Sequence, residues 1–178
     1  MKNVNRIQQK LLEIDERFNS TLQKITALHI TFDIFYFERD ELPKAKIALE
    51  NAAATSAEHF GPLNVTFQGI QTFNDRVLIS RPMLGSEIVL TQYQKKTNEI
   101  FKLYGFTPLS KYQIYKPHMT IAEMKNGETE LMHEWDFLLN NKTILGNFIP
   151  KKMQLCSTEI HPEDLYYPVL AEADFPES

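Results

Sequence analysis

Cysteine is nearly absent: Cys156 is the only one in 178 residues. A lone thiol closes no internal disulfide, and without a CxxC pair there is no thiolate zinc site, so a reducing compartment is expected. Excess positive charge is lacking too. The net charge is −4 and the sequence pI about 5.7, so no global basic field addresses a long nucleic acid, although a few local cations suffice for a small nucleotide or a short RNA end. No apolar run approaches the roughly 18 residues of a membrane span. The first residues, MKNVNRIQQKLLEIDERF, are charged throughout and lack an apolar core, which argues against a secretory signal; Glu13, Asp15 and Glu16 argue against a basic targeting helix. These absences point to a soluble intracellular protein, cytoplasmic or nuclear. Catalytic signatures are equally sparse, with no HExxH, no glycine-rich phosphate loop and no GxSxG elbow.

What is present is ordinary globular material, 43% hydrophobic and 24% charged, enough for one domain over residues 1–178. Val4, Ile7, Leu11, Leu12 (or Ile14), Phe18, Leu22 and Ile25 recur at helical steps and predict a helix over 3–25. LHITFDIF (28–35) alternates, with Leu28, Ile30, Phe32 and Ile34 on an apolar face and His29, Thr31 and Asp33 opposite, which predicts a strand. A helix over 41–60 accepts Pro43 in its first turn and stops at Gly61-Pro62. Strands at 63–73 and 77–82 flank an Asn74-Asp75-Arg76 turn, and a helix over 87–103 ends at Gly105. The series then repeats: a strand after Pro117, a helix over 129–140, and strands at 148–160 and 166–175 around a turn at 161–164. The order reads as two copies of one α+β lobe packed as a single domain.

The repeat brings two similar pairs into register, His29-x-Thr31 and His118-x-Thr120 in YKPHMTIAEM (115–124). Residues i and i+2 of a strand share a face, so each imidazole stands beside a hydroxyl. Singly, each pair is better read as a satisfied histidine and a strand-loving threonine; at equivalent points of a repeat they read as one site. His59, His133 and His161 keep the structural reading. Two imidazoles suit concerted proton transfer, one taking and one giving, and two hydroxyls can donate to phosphoryl oxygens as charge develops. That set cleaves a phosphodiester when a neighbouring ribose hydroxyl attacks, or opens a cyclic phosphate with water, and needs neither metal nor cofactor.

HIT at 29–31 and HMT at 118–120 resemble the paired signature of the 2H phosphoesterase (LigT-like) superfamily. FQGIQTFNDRV (67–77), YKPHMTIAEM and QLCST (154–158) are similar to its branch containing the 2′-5′ RNA ligase-like domain of A-kinase anchoring proteins. The resemblance implies a bilobal α+β fold, two antiparallel sheets around a central cleft with helices outside. It implies His29 and His118 as the acid–base pair, and Thr31 and Thr120 as phosphate-holding hydroxyls. Metal-free cleavage of a 2′-5′ oligoadenylate, a related oligonucleotide or a cyclic nucleotide is the implied reaction. A nucleotide- or RNA-binding module without catalysis, RNA 3′-end processing and 2′-5′ RNA ligation are the competing readings. Phe73 and Tyr115 are candidates to stack on a base, Lys116 to meet the substrate beside Tyr115, and Lys152 to face the phosphate; each has a plain structural reading as well. Two departures stand out. The usual first strand is missing ahead of the first helix, which predicts an open sheet edge, and no C-terminal amphipathic helix suited to anchoring a kinase subunit is visible. A monomer is expected.

Overall fold

A computed structural model describes residues 2–109, 114–124, 131, 133–159 and 166–176. It is α+β, with three α-helices and two antiparallel sheets among those residues. The helices are α1 (Lys2–Ile14), α2 (Leu42–Phe60) and α3 (Leu84–Leu103); the strands are β1 (Val65–Phe73), β2 (Val77–Pro82), β3 (Met119–Glu123), β4 (Asn140–Phe148), β5 (Lys152–Cys156) and β6 (Val169–Asp174). The chain divides into two compact units, each built from three stretches. The first takes Met1–Ile30, Thr66–Leu84 and Pro117–Phe148; the second takes Thr31–Val65, Gly85–Lys116 and Ile149–Ser178.

The first unit holds a sheet ordered β3-β2-β1-β4. Its hairpin β1–β2 turns through Asn74 and Asp75, whose φ angles of 50° and 56° are left-handed values that Asn and Asp tolerate. Register shifts at Gln68/Gln71 in β1 and at Leu78/Ile79 between β2 and β3 interrupt the ladders. Gly69, at φ 77°, supplies the first of them, and its carbonyl accepts from the buried Ser80 hydroxyl at 2.8 Å. Helix α1 packs on β3 and β4, burying Val4, Ile7 and Leu11, while Phe18 stacks on the buried Trp135.

The predicted helix over 3–25 ends early, at Ile14. The Asp15 carboxylate takes the Arg17 backbone N–H at 2.8 Å and starts a separate 3-10 turn, Glu16–Ser20. Aspartate competes locally with the helical backbone pattern and stops it. The predicted strand over 28–35 also fails to form a ladder. Residues 28–34 join no sheet, Phe35 makes an isolated bridge with Pro108, and Ile34, meant for the apolar face, is 47% exposed. The division between units falls at Ile30/Thr31, so this stretch does not run along one sheet.

The second unit pairs β5 with β6 and covers them with α2. The buried face of α2 is Ala45, Ala48, Leu49, Ala52, Ala53 and Ser56, and all but Leu49 are small residues that let a helix lie close to a sheet. Pro43 sits in its first turn and Gly61 at φ 74° ends it, as predicted. Helix α3 starts at Leu84, ahead of the predicted Glu87.

The second half departs most from expectation. Residues 125–130 and 132 lie outside the described residues, and with them positions 129, 130 and 132 of the predicted 129–140 helix. The described remainder is one 3-10 turn, Asp136–Leu138, after His133 at φ 73°. From Asn140 the chain is β4, which the sequence reading missed. The predicted strand at 148–160 is only β5, because Pro150 has no N–H to continue β4. The turn at 161–164 lies outside the described residues.

Candidate functional site

His29 follows the short 3-10 turn Ile25–Ala27, where the chain leaves that turn through an extended Leu28. Its Nδ1 lies 2.9 Å from the Ala27 carbonyl. A carbonyl only accepts, so Nδ1 carries the proton and donates, and the lone pair of the neutral ring is on Nε2. His29 also lines an open, mostly apolar pocket with Leu28, Ile30, Phe67, Met119 and Phe148, all in the first unit.

His118 stands immediately before β3 and is half-buried. The Phe73 ring meets it edge-to-face, with centroids 4.8 Å apart and planes at 79°. Phe73 ends β1 and pairs with Val77 across the hairpin, so the tight turn delivers this ring to the imidazole. Thr120 lies within β3 opposite Ile79, half-buried, while its neighbours Met119 and Ile121 point to the core. His29, Phe73, His118 and Thr120 therefore belong to the first unit.

Thr31, Tyr115, Lys116 and Lys152 belong to the second. Thr31 is exposed on the stretch outside any ladder. Tyr115 is edge-on to Phe32, with centroids 6.4 Å apart. Its hydroxyl is buried without a hydrogen-bond partner among the described residues, and desolvation, followed by the charges of Asp33 and Glu87, pushes the phenol well above its usual range. Lys116 is exposed. Lys152 Nζ lies 2.6 Å from Glu172 Oε1 across the β5–β6 pair; that bond raises the ammonium pKa and lowers that of the carboxyl.

Two partners escaped the sequence reading. The Ala27 carbonyl orients His29, and only the local turn supplies it. The Asp33 carboxylate is held by Gln94 and Asn98 of α3, one turn apart on that helix, a spacing visible in the sequence only once Asp33 is known to face α3. Among the described residues no group of three or more His, Cys, Asp or Glu side chains is placed to hold a metal ion. No helix among them is long and apolar enough to cross a membrane.

Compared with known families, the chain matches the model of the AKAP7 2'5' RNA ligase-like domain over residues 1–175. It belongs to that family. The AKAP7 2'5' RNA ligase-like match runs through both HxT pairs and both sheets, in keeping with the 2H phosphoesterase resemblance of the motifs. Two solved structures share the fold. The PDE domain of MHV ns2 is 19% identical with a TM-score of 0.56 over 70% of each chain. TT0787 of Thermus thermophilus is 17% identical with a TM-score of 0.58, over 96% of this chain and 92% of that one. Likeness at these identities is one of fold. Among curated proteins none matches the chain.

Proposed function

We propose that this member of the AKAP7 2'5' RNA ligase-like family is a phosphodiesterase that cleaves 2′-5′-linked oligoadenylate, or a related oligonucleotide or cyclic nucleotide, by metal-independent His/His acid–base catalysis. The observation that carries the reading is the imidazole of His29, oriented through its Nδ1 by the Ala27 carbonyl, in a chain with a second His-x-Thr pair. The PDE designation of MHV ns2, a fold neighbour, supports the same reaction class.

In the proposed reaction the free 3′-hydroxyl beside a 2′-5′ bond attacks phosphorus. One imidazole removes its proton, the P–O5′ bond breaks, and the other imidazole protonates the departing 5′ oxygen. The products are a 2′,3′-cyclic phosphate and a 5′-hydroxyl. Thr31 and Thr120 donate to the non-bridging oxygens, where negative charge grows. Tyr115 and Lys116 are the proposed substrate contacts. Phe73 serves by holding His118, and Lys152 serves the phosphate only when it leaves Glu172.

The test is a panel of 2′-5′ and 3′-5′ oligoadenylates, 2′,3′-cyclic nucleotides and a uridine-tailed RNA, incubated in EDTA with products identified by mass. The expected result is cleavage by the wild type and a loss of about 10²–10⁴-fold in kcat for H29A and for H118A. Wild-type turnover in both variants would overturn the assignment, and tight binding of the panel with no turnover by the wild type would replace it with a binding module.

A further inference from the structure

Thr31 has a demanding task for an exposed residue outside any ladder. Among the described residues no sheet partner fixes residues 28–34, and the nearest backbone ties lie downstream, where the Ile34 carbonyl accepts from the Leu109 N–H at 2.8 Å and Phe35 bridges Pro108. Asp33, two residues beyond Thr31, carries the densest set of hydrogen bonds on this stretch. Its Oδ2 accepts from Gln94 Nε2 at 3.0 Å and from Asn98 Nδ2 at 2.8 Å, and its Oδ1 accepts from the Ile34 backbone N–H at 2.8 Å. Gln94 is only 7% exposed, so this grip sits on a packed face of α3 and not on a mobile surface side chain. Every residue involved belongs to the second unit.

The choice of residue type is informative. A negative charge close to a hydroxyl that holds phosphate opposes an anionic substrate, so a carboxylate there needs another justification. At least three donors converge on its two oxygens among the described residues. A carboxylate accepts all three, whereas an Asn offers a single acceptor oxygen and turns an N–H₂ toward one set of donors. Charged acceptors also make the stronger hydrogen bonds.

We infer that Asp33 is a positioning residue, whose carboxylate, gripped by the amides of Gln94 and Asn98, sets where the Thr31 hydroxyl stands. Asp33 touches no reacting atom in this role; it acts through two residues of backbone. The inference rests on the reading of Thr31 as a phosphate-holding group. Misplacement by about 1 Å at a distance from the chemistry can cost as much as roughly 10²-fold in rate, so loosening this grip is expected to show in kcat.

A double-mutant cycle on 2′-5′ triadenylate tests it, together with amide hydrogen exchange at Ile34. D33N is expected to lower kcat about 10-fold with KM within about 2-fold, and to have almost no further effect in a T31A background, because both act through one hydroxyl. D33N/N98D, which restores the contact with donor and acceptor exchanged, is expected to recover most of the loss. Q94A/N98A, which leaves the Asp33–Ile34 bond its acceptor, is expected to speed exchange of the Ile34 amide in a protein that otherwise keeps its fold by circular dichroism. An equal loss from D33N with and without Thr31, or an unchanged kcat, overturns the positioning role. Unchanged Ile34 protection in Q94A/N98A overturns the grip itself, whatever the activity. Absence of turnover by the wild type instead overturns the phosphodiesterase reading and takes the positioning role with it, while the exchange result still reports on the grip.

Discussion

Phe73 is a candidate to stack on a substrate base, and its ring lies edge-on to His118, with centroids 4.8 Å apart. The two roles separate kinetically. An aromatic pair is worth about 0.5–1.5 kcal/mol beyond area burial. F73L is therefore expected to lower kcat roughly 2- to 10-fold with KM little changed, measured by initial rates; a rise in KM at constant kcat is the result expected of a stacking platform. A second residue-scale expectation concerns alkaline pH. Burial, then the neighbouring Cys156, pushes the Tyr166 phenol up to about 12, and burial raises the Cys156 thiol as well. Both groups hold their protons more tightly in the folded chain. Their stabilisation is complete below the ordinary Cys and Tyr values and is lost as pH rises through the folded ones. Urea midpoints should fall between about pH 10 and 12, and the fall should be shallower in Y166F. At this scale the His-x-Thr pairs were legible because their spacing is local. The Ala27 carbonyl and the Gln94–Asn98 grip were not, since one is backbone and the other reaches 61 and 65 residues along the chain.

Among elements, α1 depends on one polar residue. Gln8 is 5% exposed, and its Nε2 donates to the Gln23 carbonyl at 2.6 Å and the Ile121 carbonyl at 3.1 Å, joining the helix to β3. Q8A takes that donor from the Gln23 carbonyl and one of two donors from the Ile121 carbonyl, which keeps the Gln23 N–H at 3.0 Å, and should cost about 1–3 kcal/mol in urea unfolding. The β5–β6 pair bears a different kind of tie. Glu172 accepts from Lys152 and from Gln154 at 3.2 Å, both on the neighbouring strand. Its carboxyl pKa is lowered by the Lys152 bond, so the pair stabilises above the ordinary Glu range and the contribution disappears as pH falls through the lowered value. Because the groups are exposed, E172Q should lower Tm slightly at low salt, and the difference should vanish at about 1 M salt. Helices α2 and α3 were legible in alanine periodicity, a first-turn proline and glycine stops. The stretch ahead of β4 was not: TELMHEWDFLLN spaces its apolar residues like a helix, but Trp135 and Leu138 are buried through a left-handed residue and a 3-10 turn.

For the molecule as a whole, α+β composition and the order of most elements could be read from local patterns, whereas the assembly of each unit could not. Periodicity reports one element at a time, and each unit draws on three separated stretches. A fragment ending at Leu103 lacks β3 and β4 of one sheet and all of the other. It is expected to show helical circular dichroism without a cooperative urea transition. The same interleaving sets a timetable for synthesis. Helix α1 is made before β4, and the Ile144 carbonyl that accepts from Asn3 lies 141 residues further on. At about 5–20 residues per second the ribosome takes on the order of ten seconds to supply it. For that interval the stripe of Val4, Ile7 and Leu11 has no sheet to cover it, and the nascent chain presents to chaperones the surface that the finished protein keeps at its core.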